Sequence, residues 1–231
     1  MKAASAANRA ILVAVARALD GIDPRLTFVG GCATGLLVTS AQAQDIRPTR
    51  DVDVVAAITS LADYHRLEQT LRDIGFVHDR DGPTCRWAWR DITVDVMPST
   101  AVLGFTNRWF PLALETACEV SLAADCTIRL IAAPVFVATK LEAFRDRGAD
   151  DYTASADLED VVTVVDGRAE LLDEAAAFPD ELRQYLAAEC ARLLALRSFR
   201  DSIAAHLSGD PASQARAAMV LERFNQLSQL R

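Results

Sequence analysis

The sequence lacks the marks of a secreted, membrane-spanning or zinc-binding protein. Its five cysteines are an odd number and include no CxxC pair, so they indicate neither a disulfide framework nor a zinc site. No stretch approaches about eighteen uninterrupted apolar residues, the length that a membrane span needs. Met1 to Asp20 has a helix-like apolar pattern, but Arg9 and Arg17 interrupt it and it has no signal-peptide organisation. We therefore expect a cytoplasmic protein with no membrane partner and an amphipathic N-terminal helix.

Acidic residues outnumber basic residues, 32 to 24. The formal net charge is −8, which argues against a protein that coats nucleic acid, because neutralising phosphates requires a basic surface. A local basic cleft stays open as an alternative, since five arginines are near the acidic motifs described below. They are Arg47, Arg50, Arg86, Arg90 and Arg108. With 231 residues and 51% hydrophobic content, the chain can bury a substantial core as a globular protein.

Lysine is nearly absent. Of the 24 basic residues, only Lys2 and Lys140 are lysine. A compact ammonium kept at one internal position fits a point charge that binds phosphate. The alternative is that Lys140 is a solvated residue on the exposed side of a helix from Pro134 to about Arg147.

Two acidic segments have the alternation of polar and apolar residues that is typical of β-strands. In Asp51-Val52-Asp53 both aspartates point to one face, and in Ile92 to Met97 the apolar residues leave Thr93 and Asp95 on the opposite face. A neighbouring strand could therefore bring Asp95 beside the first pair. Three close carboxylates repel unless a cation joins them, and oxygen ligands suit Mg²⁺ or Mn²⁺. The alternative for Asp-Val-Asp is an ordinary capped strand entry.

A glycine pair precedes the acidic segments. Leu26 to Val29 predicts a short apolar strand, Gly30 and Gly31 predict a tight turn, and Cys32 to Val38 predicts a packed helix. Exposed backbone amides at such a helix start attract phosphate. Taken alone, the same residues are equally compatible with an ordinary strand-turn-helix.

The remaining sequence predicts a change of architecture near residues 132 to 134. Before it, helix and strand patterns alternate, with a helix over about Ser60 to Ile74, a hairpin of strands at Cys85 to Arg90 and Ile92 to Met97, and a strand near Thr127 to Ile131. After it, the pattern is helical to the end, with a segment from about Ser155 to Val165 that places Asp157 and Asp160 on one face. Asp157 lies near the first turn, where the helix dipole could account for it, and this explanation is weaker for the deeper Asp160.

These motifs resemble the nucleotidyltransferase superfamily related to DNA polymerase β, and specifically its AbiEii-type toxin branch. The likeness covers approximately residues 20 to 168. It rests on Gly30 to Ala33, Arg47 to Asp53, Val94 to Val96, Ala138 to Phe144 and Asp157 to Val162. The resemblance implies an α+β fold: a nucleotidyltransferase-like mixed sheet with flanking helices in residues 1–132, followed by a C-terminal helical region, 133–231, that completes the cleft.

The resemblance also implies roles for individual residues. Asp51, Asp53 and Asp95 would bind the divalent ions, and Gly30 and Gly31 would hold the nucleotide phosphates. Lys140 would stabilise triphosphate charge, while Asp160 could orient Lys140, bind base or ribose, or accept the proton of the attacking hydroxyl. Arg47 and Thr34 are further candidates for nucleotide binding. Many superfamily members have serine where this chain has Gly31, so Thr34 is the candidate for the missing hydroxyl contact.

The expected activity is the metal-dependent transfer of a nucleoside monophosphate from an NTP to an acceptor. The toxin resemblance implies a tRNA 3′ end or a protein hydroxyl as acceptor and a cognate antitoxin as partner. Two alternatives remain at this stage. One is an enzyme of the same superfamily that modifies an antibiotic hydroxyl, and the other is a noncatalytic nucleotide-binding or antitoxin-like module.

Overall fold

The computed structural model describes residues 3–40, 46–147 and 151–231. The chain divides into two compact units: Met1–Gly35 with Arg47–Ala132, and Leu36–Ile46 with Ala133–Arg231. The sequence predicts a boundary after residue 132. The second unit begins at that boundary and also includes Leu36–Ile46.

The first unit is built on a mixed sheet with helices around it. Its elements in chain order are α1 (Ala3–Ala18), β1 (Leu26–Val29), α2 (Gly30–Leu37, which extends into the second unit), β2 (Asp51–Ala56), α3 (Leu61–Asp73), β3 (Val77–His78), β4 (Arg86–Trp89), β5 (Ile92–Pro98), a 3₁₀ turn (Ala101–Leu103), α4 (Phe110–Glu115), β6 (Cys118–Ala123) and β7 (Cys126–Leu130).

The sheet joins seven strands of the described residues in the order β3-β4-β5-β2-β1-β7-β6. β2 pairs parallel with β5 and β1 pairs parallel with β7, while the other neighbours are antiparallel. The β4–β5 hairpin turns at Arg90 and Asp91, and Arg90 has a φ of 57°. This pairing places β2, with its two aspartates, in the middle of the sheet.

Amphipathic helices cover the apolar positions of the sheet. α1 contacts β2, β6 and β7, and it buries Leu12 and Val15. Each such side chain contributes about 1.5 to 3 kcal/mol when it leaves water. Arg9 on α1 also donates from Nη2 to the carbonyl of Leu122 at 2.7 Å, which occupies part of the outer edge of β6. In α3, Tyr64 is buried and its hydroxyl donates to the Val96 carbonyl at 3.4 Å.

The second unit is helical in the part that the structure describes. It contains α5 (Ala133–Arg147), α6 (Ala156–Gly167), α7 (Leu171–Ala176), α8 (Asp180–Ala195), α9 (Arg197–Ser202), a 3₁₀ turn (Ile203–His206), α10 (Pro211–Gln214) and α11 (Ala217–Ser228). α5 and α6 contact each other, and α11 contacts both α6 and α8. The Ser155 hydroxyl begins α6 by accepting from the Leu158 amide, which satisfies a donor that the helix itself leaves unpaired.

The predicted fold class is confirmed: an α+β chain with a mixed sheet and flanking helices, and a helical C-terminal region. None of the helices found in residues 3–40, 46–147 and 151–231 is long and apolar enough to cross a membrane. The predicted N-terminal helix is α1, and Met1 and Lys2 lie outside the described residues.

Three elements differ from the sequence expectation. β6 was not predicted, although Cys118, Val120 and Leu122 alternate with Glu119 and Ser121 as in a strand; half of its residues are exposed and only Leu122 is buried. α4 was not predicted either, since it has only six residues. The last part of the region expected to be helical is broken into α10 and α11 at Arg216, whose Nε donates to Asp166 Oδ1 at 3.0 Å.

Candidate active site

The three candidate aspartates lie on one face of the sheet, on two neighbouring strands. β2 and β5 run parallel, and their register places Asp53 opposite Asp95 and Asp51 opposite Thr93. Asp51 is exposed, and Asp53 and Asp95 are half-buried. The valines that alternate with them along the two strands, Val52 and Val94, are buried. We call Asp51, Asp53 and Asp95 the acidic face. Local alternation orients each carboxylate, and the pairing of two strands distant in sequence brings them together.

The backbone of Gly30 lies against the Asp53 carboxylate. Val29, the last residue of β1, is paired with Asp53, and α2 begins at the next residue. Gly30 has a φ of 71°, and a Cβ placed on it would lie 1.8 Å from Asp53 Oδ2 and 2.7 Å from Asp53 Cβ. Only glycine avoids both the left-handed strain and this overlap. The close approach of the chain to the acidic face therefore requires glycine at this position.

Gly30 and Gly31 are the first two residues of α2, so the predicted turn and helix start coincide. Backbone N–H groups in the first turn of a helix have no acceptor within that helix, and the helix dipole favours negative charge there. The structure therefore places the start of α2 next to one member of the acidic face.

Asp95 is held by an arginine on its other side. β4 pairs antiparallel with β5, and the register places Arg86 directly opposite Asp95. Arg86 donates from Nε to Asp95 Oδ1 at 2.9 Å and from Nη2 to Asp95 Oδ2 at 2.8 Å. The hydrogen bonds to Asp95 raise the pKa of Arg86 above its ordinary value, and the charges of Asp95 and Asp51 add to this against the lowering effect of burial. The guanidinium is thus a firmly charged partner of the third carboxylate.

Two cysteines near the acidic face are neutral thiols. Burial, and then the negative charges of Asp53 and Asp51, raise the pKa of Cys32 to about 12. Burial, followed by the charge of Asp95, raises the pKa of Cys85 to about 12. A thiol binds a metal ion as the thiolate, so these side chains do not favour a soft metal here.

The donor chemistry of the acidic face fits a divalent ion that prefers oxygen, such as Mg²⁺ or Mn²⁺. Asp53 and Asp95 are paired positions on adjacent strands, and glycine at position 30 leaves room for the Asp53 carboxylate beside the start of α2. As the side chains stand, however, no group of three histidine, cysteine, aspartate or glutamate residues within the described parts of the chain is arranged to hold a metal ion.

The two further candidates for nucleotide binding differ in exposure. Thr34 lies in α2 and is only 1% exposed, so its hydroxyl is not open to solvent in this arrangement. Arg47 is half-buried, and its carbonyl accepts a hydrogen bond from Asn8 Nδ2 at 3.0 Å. Asn8 Oδ1 also accepts from the Thr49 amide at 3.2 Å, so α1 supports the segment that leads into β2.

A second charged cluster lies within the helical unit. Lys140 Nζ is 2.7 Å from Asp160 Oδ2 and 3.2 Å from Asp157 Oδ1, and its side chain is 12% exposed. The interpretation of Lys140 as a solvated helix lysine is therefore wrong. Arg147 donates from Nε to Asp157 Oδ2 at 3.0 Å. We call Lys140, Arg147, Asp157 and Asp160 the lysine cluster.

Asp157 takes part in this cluster, so the helix dipole alone does not explain it. Burial alone would raise the pKa of Asp157, but the hydrogen bond from Arg147 and the charges of Lys140 and Arg147 outweigh it. The pKa of Asp157 is consequently lower than that of an ordinary aspartate. The carboxylate is ionised at neutral pH and contributes to holding the Lys140 ammonium in place.

In the sequence Arg86 is only one of five arginines near the acidic segments, although a signal for its position exists. A two-residue turn at Arg90 and Asp91 fixes the pairing of the hairpin and leads back to Arg86 opposite Asp95. Asp157 was recognised as sharing a helix face with Asp160 but not as a partner of Lys140. That contact depends on how α5 packs on α6.

Comparison with known proteins supports the fold. No protein-family model and no curated protein matches the sequence. Among solved structures, an antigenic nucleotidyltransferase-like protein from Paracoccidioides brasiliensis aligns with a TM-score of 0.54 and 19% identity, over 86% of this chain and 92% of that one. A candidate nucleotidyltransferase from H. pylori aligns with a TM-score of 0.48 and 12% identity, over 99% of this chain and 96% of that one. The first alignment shows that this chain has a nucleotidyltransferase-like fold.

Proposed function

We propose that this protein is a metal-dependent nucleotidyltransferase that moves a nucleoside monophosphate from an NTP to an acceptor hydroxyl. The observation that carries the proposal is the arrangement of Asp53 and Asp95 at paired positions, with the start of α2 packed on Asp53. This places a phosphate-attracting helix start next to carboxylates suited to Mg²⁺ or Mn²⁺. A nucleotidyltransferase-like fold supports the same reaction class.

In this proposal the acidic face holds the divalent ions. Asp51 and Asp53 are ligands from one strand, and Asp95 completes the set from the neighbouring strand. A bound divalent ion would neutralise triphosphate charge and lower the pKa of the attacking hydroxyl. The backbone amides at Gly30 and Gly31 bind phosphate oxygens, so the chain itself contributes mainly positioning and electrostatic stabilisation.

The lysine cluster has a proposed role in the same reaction. Lys140 is the compact cation that meets triphosphate charge, and Asp157 and Asp160 fix its ammonium by direct contact. Arg47 and Thr34 remain proposed nucleotide contacts, and for Thr34 this requires its buried hydroxyl to become accessible.

The acceptor and the biological role follow from the resemblance to AbiEii-type toxins. We propose a tRNA 3′ end or a protein hydroxyl as the acceptor and a cognate antitoxin as the partner. The antibiotic-modifying alternative differs only in the acceptor, so the same assay distinguishes it.

The test uses purified protein with Mg²⁺ and each NTP in turn, offered tRNA, protein or a hydroxylated antibiotic. Label on the α-phosphate should appear in one acceptor, while label on the γ-phosphate should leave with pyrophosphate. Asp53→Asn should lower the rate by about a hundredfold or more, because it removes a charged ligand of the divalent ions that stabilise the transferred group. Asp91→Asn, in the exposed β4–β5 turn, is the matched control and should keep the wild-type rate.

Circular dichroism should show the same fold for both variants. A well-folded Asp53→Asn protein with wild-type activity would refute the assigned role of the acidic face. Binding of NTP without transfer to any acceptor would instead favour the noncatalytic nucleotide-binding module.

A further inference from the structure

Arg86, Asp95 and Asp53 form a transverse row across three adjacent strands. The register places Arg86 on β4 opposite Asp95 on β5, and Asp95 opposite Asp53 on β2. Both oxygens of Asp95 accept hydrogen bonds from the Arg86 guanidinium, at 2.9 and 2.8 Å. One of the three proposed metal ligands is therefore already occupied by a cation of the protein itself.

The electrostatics explain why a cation lies there. Like charges at paired positions on adjacent strands destabilise a sheet, and the acidic face brings three carboxylates together. Arg86 compensates this repulsion in two ways. It makes a bidentate contact with Asp95, and its positive charge is attracted by the negative charge of Asp51. A divalent ion bound between Asp53 and Asp95 would supply the same compensation. The two cations thus compete for the same carboxylate oxygens.

The exposure of the pair favours exchange over a permanent contact. The Arg86 side chain is 33% exposed, whereas that of Asp95 is 13% exposed. The guanidinium can therefore move toward solvent by rotations of its own side chain, while the carboxylate stays on the sheet. A planar guanidinium with several donors is also well suited to bind phosphate oxygens once it is released.

We infer that Arg86 is a displaceable counter-ion of the proposed metal site. It neutralises Asp95 when no divalent ion is bound, and the ion replaces it when the site is loaded. The released guanidinium then becomes available to the triphosphate, which couples nucleotide binding to metal binding. This inference rests on the proposed function, since it assumes that the acidic face binds a divalent ion.

The test measures Mn²⁺ binding without nucleotide, by electron paramagnetic resonance of the free ion. Arg86→Gln removes the competing charge while keeping a polar side chain with an N–H donor, and it should tighten Mn²⁺ binding by about tenfold. The matched control is Arg90→Gln in the same hairpin, where the guanidinium lies 4.3 Å from the Trp89 ring centroid. The control should bind Mn²⁺ as the wild type does.

A second measurement checks the same inference through stability. Loss of Arg86 leaves Asp95 without its charge partner, so ion-free Arg86→Gln should melt below the wild type. Because ligand binding to the native state stabilises it, saturating Mn²⁺ should raise the Tm of Arg86→Gln by more than that of the wild type. A contact that only stabilised the sheet would lower the Tm without this larger response to Mn²⁺.

The outcomes separate the two hypotheses. Asp53→Asn, alone and combined with Arg86→Gln, identifies the part of Mn²⁺ binding that belongs to the acidic face. Asp53-dependent binding that is equal or weaker in Arg86→Gln than in the wild type overturns the counter-ion inference and leaves the proposed function standing. If neither protein shows Asp53-dependent Mn²⁺ binding, the proposed metal site fails and the inference fails with it.

Discussion

Replacing Gly30 by alanine tests the close approach between the start of α2 and the acidic face. A Cβ at this position would lie 1.8 Å from Asp53 Oδ2 and 2.5 Å from Asp53 Cγ. Rotation of the carboxylate alone does not remove the overlap, because Asp53 Cβ would itself be only 2.7 Å away. Gly30→Ala must therefore displace either α2 or β2, and both belong to the proposed site.

The structure provides a control that separates strain from overlap. Gly21 has a φ of 74°, nearly the same as the 71° of Gly30, but a Cβ there would meet nothing within 4 Å. Gly21→Ala should cost roughly 1 to 2 kcal/mol for the left-handed backbone. Gly30→Ala should add an overpacking cost of about 1 to 3 kcal/mol, for a total loss of roughly 2 to 5 kcal/mol.

Tryptophan fluorescence can follow this loss within the first unit. The chain has three tryptophans, Trp87, Trp89 and Trp109, and all of them lie in that unit. Urea unfolding followed by their emission should give a lower midpoint for Gly30→Ala than for Gly21→Ala. Equal free energies of unfolding for the two variants would refute the close approach of Gly30 to Asp53.

Two further predictions concern titration and thiol reactivity. The pKa of Asp157 is lowered in the folded protein, so the ionised side chain stabilises the fold above the unfolded pKa of about 4 and this contribution is lost as pH falls through the folded value. The stability advantage of the wild type over Asp157→Asn should therefore be complete near pH 6 and shrink progressively below about pH 4 in thermal unfolding; an advantage independent of pH would contradict the lowered pKa. Of the five cysteines only Cys118 is exposed, and burial raises the pKa of Cys32, Cys85 and Cys190 to about 12. Ellman's reagent should label one thiol rapidly in the native protein and all five after denaturation, and Cys118→Ser should abolish the rapid phase; rapid labelling of a second thiol would show that the buried set is accessible.

Much of the local structure could be predicted because its causes are local. Ser60 and Ser155 precede apolar-striped segments and cap α3 and α6, as side chains that accept from backbone amides do. The alternation in β2 and β5 fixes which side chains share a face, whatever the strands pair with. The same reasoning predicted the helix α5 but not the depth of its burial, since Glu142 is only 8% exposed.

The elements that were missed depend on context. β6 is a half-exposed strand at the edge of the sheet, and its short alternation of Cys118, Val120 and Leu122 with polar residues was missed. Contacts beyond the local sequence also decided where α10 ends and α11 begins, because Arg216 is anchored to Asp166, fifty residues earlier. The helix propensity of the local sequence does not depend on such distant partners, so it does not predict their effect.

The sequence by itself determined the chemistry of the acidic face: three aspartates, each on the polar side of a strand, and a glycine pair that begins a helix. Only the tertiary structure decided which strands are neighbours and in which register. That pairing sets Asp53 between Gly30 and Asp95, and it gives Asp95 the guanidinium of Arg86 as a partner. The physical reason is that side-chain alternation is a property of each strand, whereas strand order and register follow from burying the whole sheet at once.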